Sequence, residues 1–147
     1  MYDLNRFAKD GLDFRRRLSR PGEGDWYEVV READGAILLG RLFRSSTEAA
    51  ATIDAVLAQA QALSATTHPV LLPLLGSGIV HAKADHARYA YTVTESHPPE
   101  AVLRANLGDQ PLPVDAAVGP ALAILECLQS LGGQGAWHGH VGPDTVV

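Results

Sequence analysis

Apolar and polar positions alternate through much of the first hundred residues, and a period near 3.6 replaces that alternation in two longer stretches. Phe14 to Ser19 suits an exposed strand, and Arg20-Pro21-Gly22-Glu23-Gly24-Asp25 is a turn. Trp26 to Ala33 is rich in aromatic and β-branched residues, and Asp34-Gly35 is a strong two-residue hairpin signal. Ala36 to Arg44 follows as a return strand apolar enough to be central. Residues 1–13 read as a short polar segment with a helical turn or two ahead of three antiparallel strands.

The first helical stretch begins near Ser46 or Thr47, either of which can cap it, with Glu48 in its first turn. Ile53, Val56, Leu57, Ala60 and Leu63 make one apolar stripe, and the helix must stop by Thr67 because Pro69 follows. Val70 to Val80 is an apolar strand region interrupted by Pro73, Gly76 and Gly78. Tyr89 to Glu95 pairs back on it, with Tyr91 and Val93 alternating with Thr92 and Thr94. Past Ser96-His97-Pro98-Pro99 come a short helix over Glu100 to Asn106 and a long one over Val114 to Leu131. The long helix carries Val118, Leu122, Leu125, Leu128 and Leu131 on one face; Pro120 should weaken or kink its start, and Gly132-Gly133 ends it. The fold class predicted is α+β: about five antiparallel strands with one inserted helix, then further helices.

Composition narrows the classes. The chain has 147 residues, 46% of them hydrophobic and 20% charged, which suits one globular domain and excludes a disordered one. A single cysteine, Cys127, cannot form an internal disulfide and points to a reduced, cytoplasmic setting and a core position beside Leu125 and Leu128. Arg6, Lys9 and Asp10 break any signal-peptide pattern, and Gln59, Gln61, Pro69 and Pro73 break the uncharged run over 55–81, so no transmembrane segment is expected there. The net charge of −5 divides into +3 over residues 1–20 and −8 over the remainder. The basic start has no aromatic platform beside it, and nucleic acid is not expected as a partner.

Several motifs occur in a telling order. Gly22-Glu23-Gly24-Asp25-Trp26-Tyr27-Glu28-Val29 is similar to the glycine-rich loop G-x-G-x-x-G-x-V, with Tyr27 at the third glycine. His68-Pro69 precedes the apolar strand region, and Thr94-Glu95-Ser96 has the look of a gatekeeper and hinge. His138-Gly139-His140-Val141-Gly142-Pro143-Asp144-Thr145-Val146 is similar to a catalytic loop H-[RG]-D-L-K-P-x-N-I. Together these resemble the first half of a eukaryotic-type protein kinase domain over about residues 14–147. The resemblance implies an N-terminal extension over 1–13, a kinase-like N-lobe over 14–95, and a hinge with a partial C-lobe over 96–147. It also implies a nucleotide position near Gly22, Gly24, Val29, Arg41 and Glu95.

The departures from the family pattern matter as much. Phosphoryl transfer needs held phosphates, bound metal and a group that orients the hydroxyl. Arg41 stands at the phosphate-binding lysine, and its planar fork does not reproduce an ammonium's point contact. Gln59 falls near the glutamate that pairs with that lysine, with Asp54 as the alternative partner. His140 replaces the catalytic aspartate, Gly142 the phosphate-contacting lysine and Thr145 the metal-binding asparagine. Losing these together removes most of the electrostatic stabilisation that the reaction requires.

The residues thus point to a degenerate kinase, with no catalytic residue assigned and no metal expected. The functional expectation is a catalytically impaired scaffold or interaction subunit whose 114–131 helix is covered by a protein partner or a further part of the polypeptide. The alternatives are an active serine/threonine kinase using Arg41 and His140, and a module that senses ATP without transferring phosphate. Gly22 and Gly24 also serve simply as turn residues, and a zinc site from His138, His140 and His81 or His86 lacks supporting Cys or carboxylate spacing.

Overall fold

The computed structural model describes residues 7–20, 24–44, 50–81, 87–101, 103–107 and 110–136. Its strands are β1 (Phe7–Lys9), β2 (Leu12–Leu18), β3 (Asp25–Arg31), β4 (Ile37–Arg44), β5 (Leu74–His81) and β6 (Arg88–Glu95). The helices are α1 (Ala50–Ser64), α2 (Leu103–Leu107) and α3 (Val114–Gly133), with a 3-10 turn at Pro99–Ala101. The strands form one antiparallel sheet in the order β1-β2-β3-β4-β6-β5, so the fold is mixed α+β.

The sheet has six strands where five were expected, because part of residues 1–13 is strand and not helix. Lys9 pairs with Leu12 across Asp10 and Gly11, whose φ values of 54° and 74° both lie in the left-handed region. That backbone is the two-residue hairpin turn an Asp-Gly pair favours. The second Asp-Gly, at Asp34-Gly35, also marks a hairpin, but a longer one. Arg31 N–H donates to the Ala36 carbonyl, and the Asp34 carboxylate accepts from both Arg31 and the Ala36 N–H. These bonds pull the Asp34 carboxyl down to about 2.

Antiparallel partners share a face and neighbours along a strand alternate, so the register sorts the side chains. On one face Phe14, Tyr27, Val29, Leu38, Leu42, Tyr91 and Val93 make the main core with Leu12 and Tyr89. Phe14 meets Tyr27 and Tyr91 edge-on, with ring centres 6.1 and 5.6 Å apart. Gly40 lies beneath them; a Cβ there would come within 2.5 Å of Val29 Cγ2 and 2.8 Å of Phe14 Cε1. The Tyr91 hydroxyl donates to the Asp10 carboxylate at 2.7 Å, tying the β1–β2 turn to β6, four strands away from β1 in the sheet.

Helix α1 packs on β5 and β6, with Ile53 and Ala60 of its predicted stripe buried. It ends at Ser64, as Pro69 requires, while its expected caps Ser46 and Thr47 lie outside the described residues. Strand β5 starts only at Leu74, beyond Pro73. A second cluster joins the C-terminal ends of α1 and α3: Cys127, Leu131 and Ala136 are buried against Ala62, Leu63, Leu71 and Leu128. Thr66 Oγ1 bridges the same two ends, bonded to the Ala62 carbonyl and to Gln134 Oε1 at 3.0 and 3.1 Å. Cys127 is thus the small core residue expected.

Helix α3 runs unbroken through Pro120 and closes at its glycines, where Gly135 has φ 71° and Ala136 N–H donates to the Leu131 carbonyl. Among the described residues its cover lies in the C-terminal half, and the single stripe expected splits in two: Leu131 is buried and Leu128 half-buried, while Val118, Leu122 and Leu125 lie on the other side, because nine residues turn the helix through half a circle between Leu122 and Leu131. Val114, Val118, Leu122 and Leu125 are 79, 47, 55 and 60% exposed. By length and composition alone the helix could cross a membrane, a test that soluble core helices also pass.

Candidate functional site

The sheet face opposite the main core carries Arg41, the residue aligned with the phosphate-binding lysine. Trp26 pairs with Arg41, Glu28 with Leu39, and Arg41 in turn with Thr92, so these five point to one side. Arg41 does not stand clear of the sheet. Its guanidinium carbon sits 4.9 Å from the centre of the Trp26 ring and 4.7 Å from that of Phe43. Phe43 lies two residues along the same strand and so shares the face. Two aromatic faces therefore offer the cation the negative lobes of their quadrupoles.

Val29, expected beside Arg41, lies on the other face. It pairs with Leu38 and is fully buried with Phe14 and Tyr91. The strand position turned toward Arg41's side is Glu28, which accepts a 3.0 Å bond from Arg16 Nη2. A charged pair thus occupies a position where the resemblance implies an apolar contact.

Gly24 opens β3 with φ 81°, and a Cβ there would come within 2.5 Å of the Leu42 carbonyl oxygen. Glycine is required at this position by its backbone conformation and by the approach of β4. Gln59 lies half-buried on α1 and makes contacts of its own. Asp54 reaches Arg88 Nη2 on β6 at 3.5 Å. Glu95 ends β6 as an exposed residue paired with Leu38. Gly22, His138, His140, Gly142 and Thr145 lie outside the described residues.

An open groove of about 440 Å³ follows the end of β2 and the segment after β6. Leu18, Ile37, Pro98 and Pro99 give it apolar walls, and Arg16, Glu28, Ser19 and Ser96 give it polar ones. At one end Arg20 Nη2 donates to the His97 carbonyl. Burial lowers the Arg20 pKa, opposed by the Glu100 charge. Burial and then the Arg20 charge lower that of His97, against the pull of the Glu95 carbonyl, and so favour a neutral imidazole. Arg20 Nε and His97 Nδ1 are sealed from solvent without a hydrogen-bond partner.

Chemically, this face holds a cation lying over two aromatic rings and a surface ion pair. Among the described residues no cluster of three or more His, Cys, Asp or Glu side chains could hold a metal ion. Sequence reasoning singled out Arg41 but missed Trp26 and Phe43 as its partners. The signal was available: Phe43 is two residues along the strand, and the hairpin register sets Trp26 opposite. No family model matches the chain, and no curated protein matches it. What stands is an α+β protein built on a six-stranded antiparallel sheet.

Proposed function

We propose that this chain is a catalytically impaired, protein-kinase-like scaffold or interaction subunit that works in a reducing compartment. The order of its elements supports the kinase-like part: after the short β1 come three strands, one helix, a returning hairpin, a short connection and a long helix. The observation that carries the loss of catalysis is the stacking of Arg41 on Trp26 and Phe43. A guanidinium lying over two rings is committed to the sheet. To meet a phosphate it would have to give up both contacts, each worth about 0.5–2 kcal/mol. The Glu28–Arg16 pair on the same side adds a desolvation cost for any planar base laid there.

The interaction role rests on α3. An apolar stripe in water costs about 25 cal/mol for each Å² left uncovered, and patches of this kind mark interfaces. The direct assay is phosphoryl transfer from labelled magnesium-ATP to the chain itself and to generic serine, threonine and tyrosine substrates. The expected result is no transfer above a no-protein control. Transfer that is lost in Arg41→Ala would establish an active kinase and overturn the proposal.

A further inference from the structure

The exposed face of α3 carries an asymmetry that bears on what covers it. At about 100° per residue, Val114, Val118, Leu122 and Leu125 fall within an arc of about 80°, opposite the buried Cys127 and Leu131. Asp115 and Glu126 are the only charged residues in the helix, and both are exposed. Their spacing brings them about 20° apart on the wheel, just past the Leu122 edge of the stripe. The stripe therefore has an acidic rail along one side and no charge along the other.

We infer that the partner seated on α3 is an amphipathic helix with an apolar stripe flanked by lysine or arginine. This rests on the interaction role proposed above and names the partner's chemistry. The rail disfavours the other occupants. Two copies of α3 laid antiparallel would set carboxylates against carboxylates, and laid parallel would leave both rails facing an uncharged edge, unpaired, in a chain already at −5. An anionic lipid surface would meet the same repulsion. A spanning orientation would place Glu126 inside the hydrocarbon, where carboxylates are rare unless paired. A helix seated in an apolar groove with oppositely charged rims is an established recognition mode, and its rim charges set the choice of partner.

The test uses two designed 20-residue helical peptides that share a leucine stripe and differ only in a lysine or glutamate rail. Binding to the full chain is followed by fluorescence anisotropy at low and high salt. The lysine peptide should bind two- to tenfold more tightly at low salt, and half a molar salt should remove the difference. The variant carrying Asp115→Lys and Glu126→Lys should reverse the preference. Equal binding of both peptides, or no binding of either, overturns the assignment. So does concentration-dependent dimerisation abolished by Leu125→Ser, or α3-dependent binding to phosphatidylglycerol vesicles. None of these outcomes alters the phosphoryl-transfer result, so the two proposals fail separately.

Discussion

Arg41 and Trp26 face each other across the β3–β4 pair, with the guanidinium carbon 4.9 Å from the indole centre. The contact joins the strand that opens after the Gly24 bend to the central strand of the sheet. It should be measurable as a coupling. Trp26→Ala and Arg41→Ala each lower stability, and their double-mutant cycle should show an interaction energy of about 0.5–2 kcal/mol in urea unfolding. Strict additivity would mean that the pair is in contact without mutual stabilisation.

Tyr91 offers a pH signature. Burial first, and then the bond to Asp10, raise its pKa above the ordinary tyrosine value. The folded state therefore keeps the phenol protonated at a pH where the unfolded chain ionises it. The resulting stability is complete below about pH 10, the unfolded value, and drains away as pH rises through the folded one. Tyr91→Phe should cost about 0.5–1.5 kcal/mol at neutral pH. It should also flatten the alkaline limb of the stability curve, measured by urea unfolding between pH 8 and 11.

Gly40 is the tightest point of the main core. An alanine methyl there must displace Val29 or the Phe14 ring, since both lie within 2.8 Å of its place. Gly40→Ala should cost about 1–3 kcal/mol from overpacking. Gly35→Ala meets no neighbour within 4 Å and is penalised only by its φ of 71°, so the two variants separate crowding from backbone strain.

The two sides of α3 should respond differently. Leu131 is 1% exposed and Leu125 is 60% exposed. Leu131→Ala should cost about 2–5 kcal/mol of stability, whereas Leu125→Ala should stay within about 0.5 kcal/mol. A large loss from Leu125→Ala in the isolated chain would show that this face is packed in solution, and would contradict its role as a docking surface.

Much of this fold was legible from residues that act locally. Pro69 limited the reach of α1, and the Tyr91–Thr94 alternation set β6 with its aromatic face inward, whereas α3 ran through Gly132 and Gly133 and closed at the left-handed Gly135. What escaped was non-local. Asp10-Gly11 carries the same hairpin signal as Asp34-Gly35, but its short strand β1 has few apolar residues of its own and is held by pairing with β2. That Val29 and Arg41 lie on opposite faces was also not legible, because motif spacing along one strand does not fix which side meets a neighbour. Register does, and pairing Val29 with Leu38 puts it a full alternation away from Arg41. The aromatic shelter of Arg41 was hidden for the same reason.

The central claim is that the cation at the phosphate-binding position is already occupied by its own sheet. Thermal denaturation of the chain with ATP, with and without magnesium, tests it most directly. The expected result is no saturable rise in melting temperature for the wild-type chain under either condition. A saturable, magnesium-dependent rise that Arg41→Ala abolishes would contradict it.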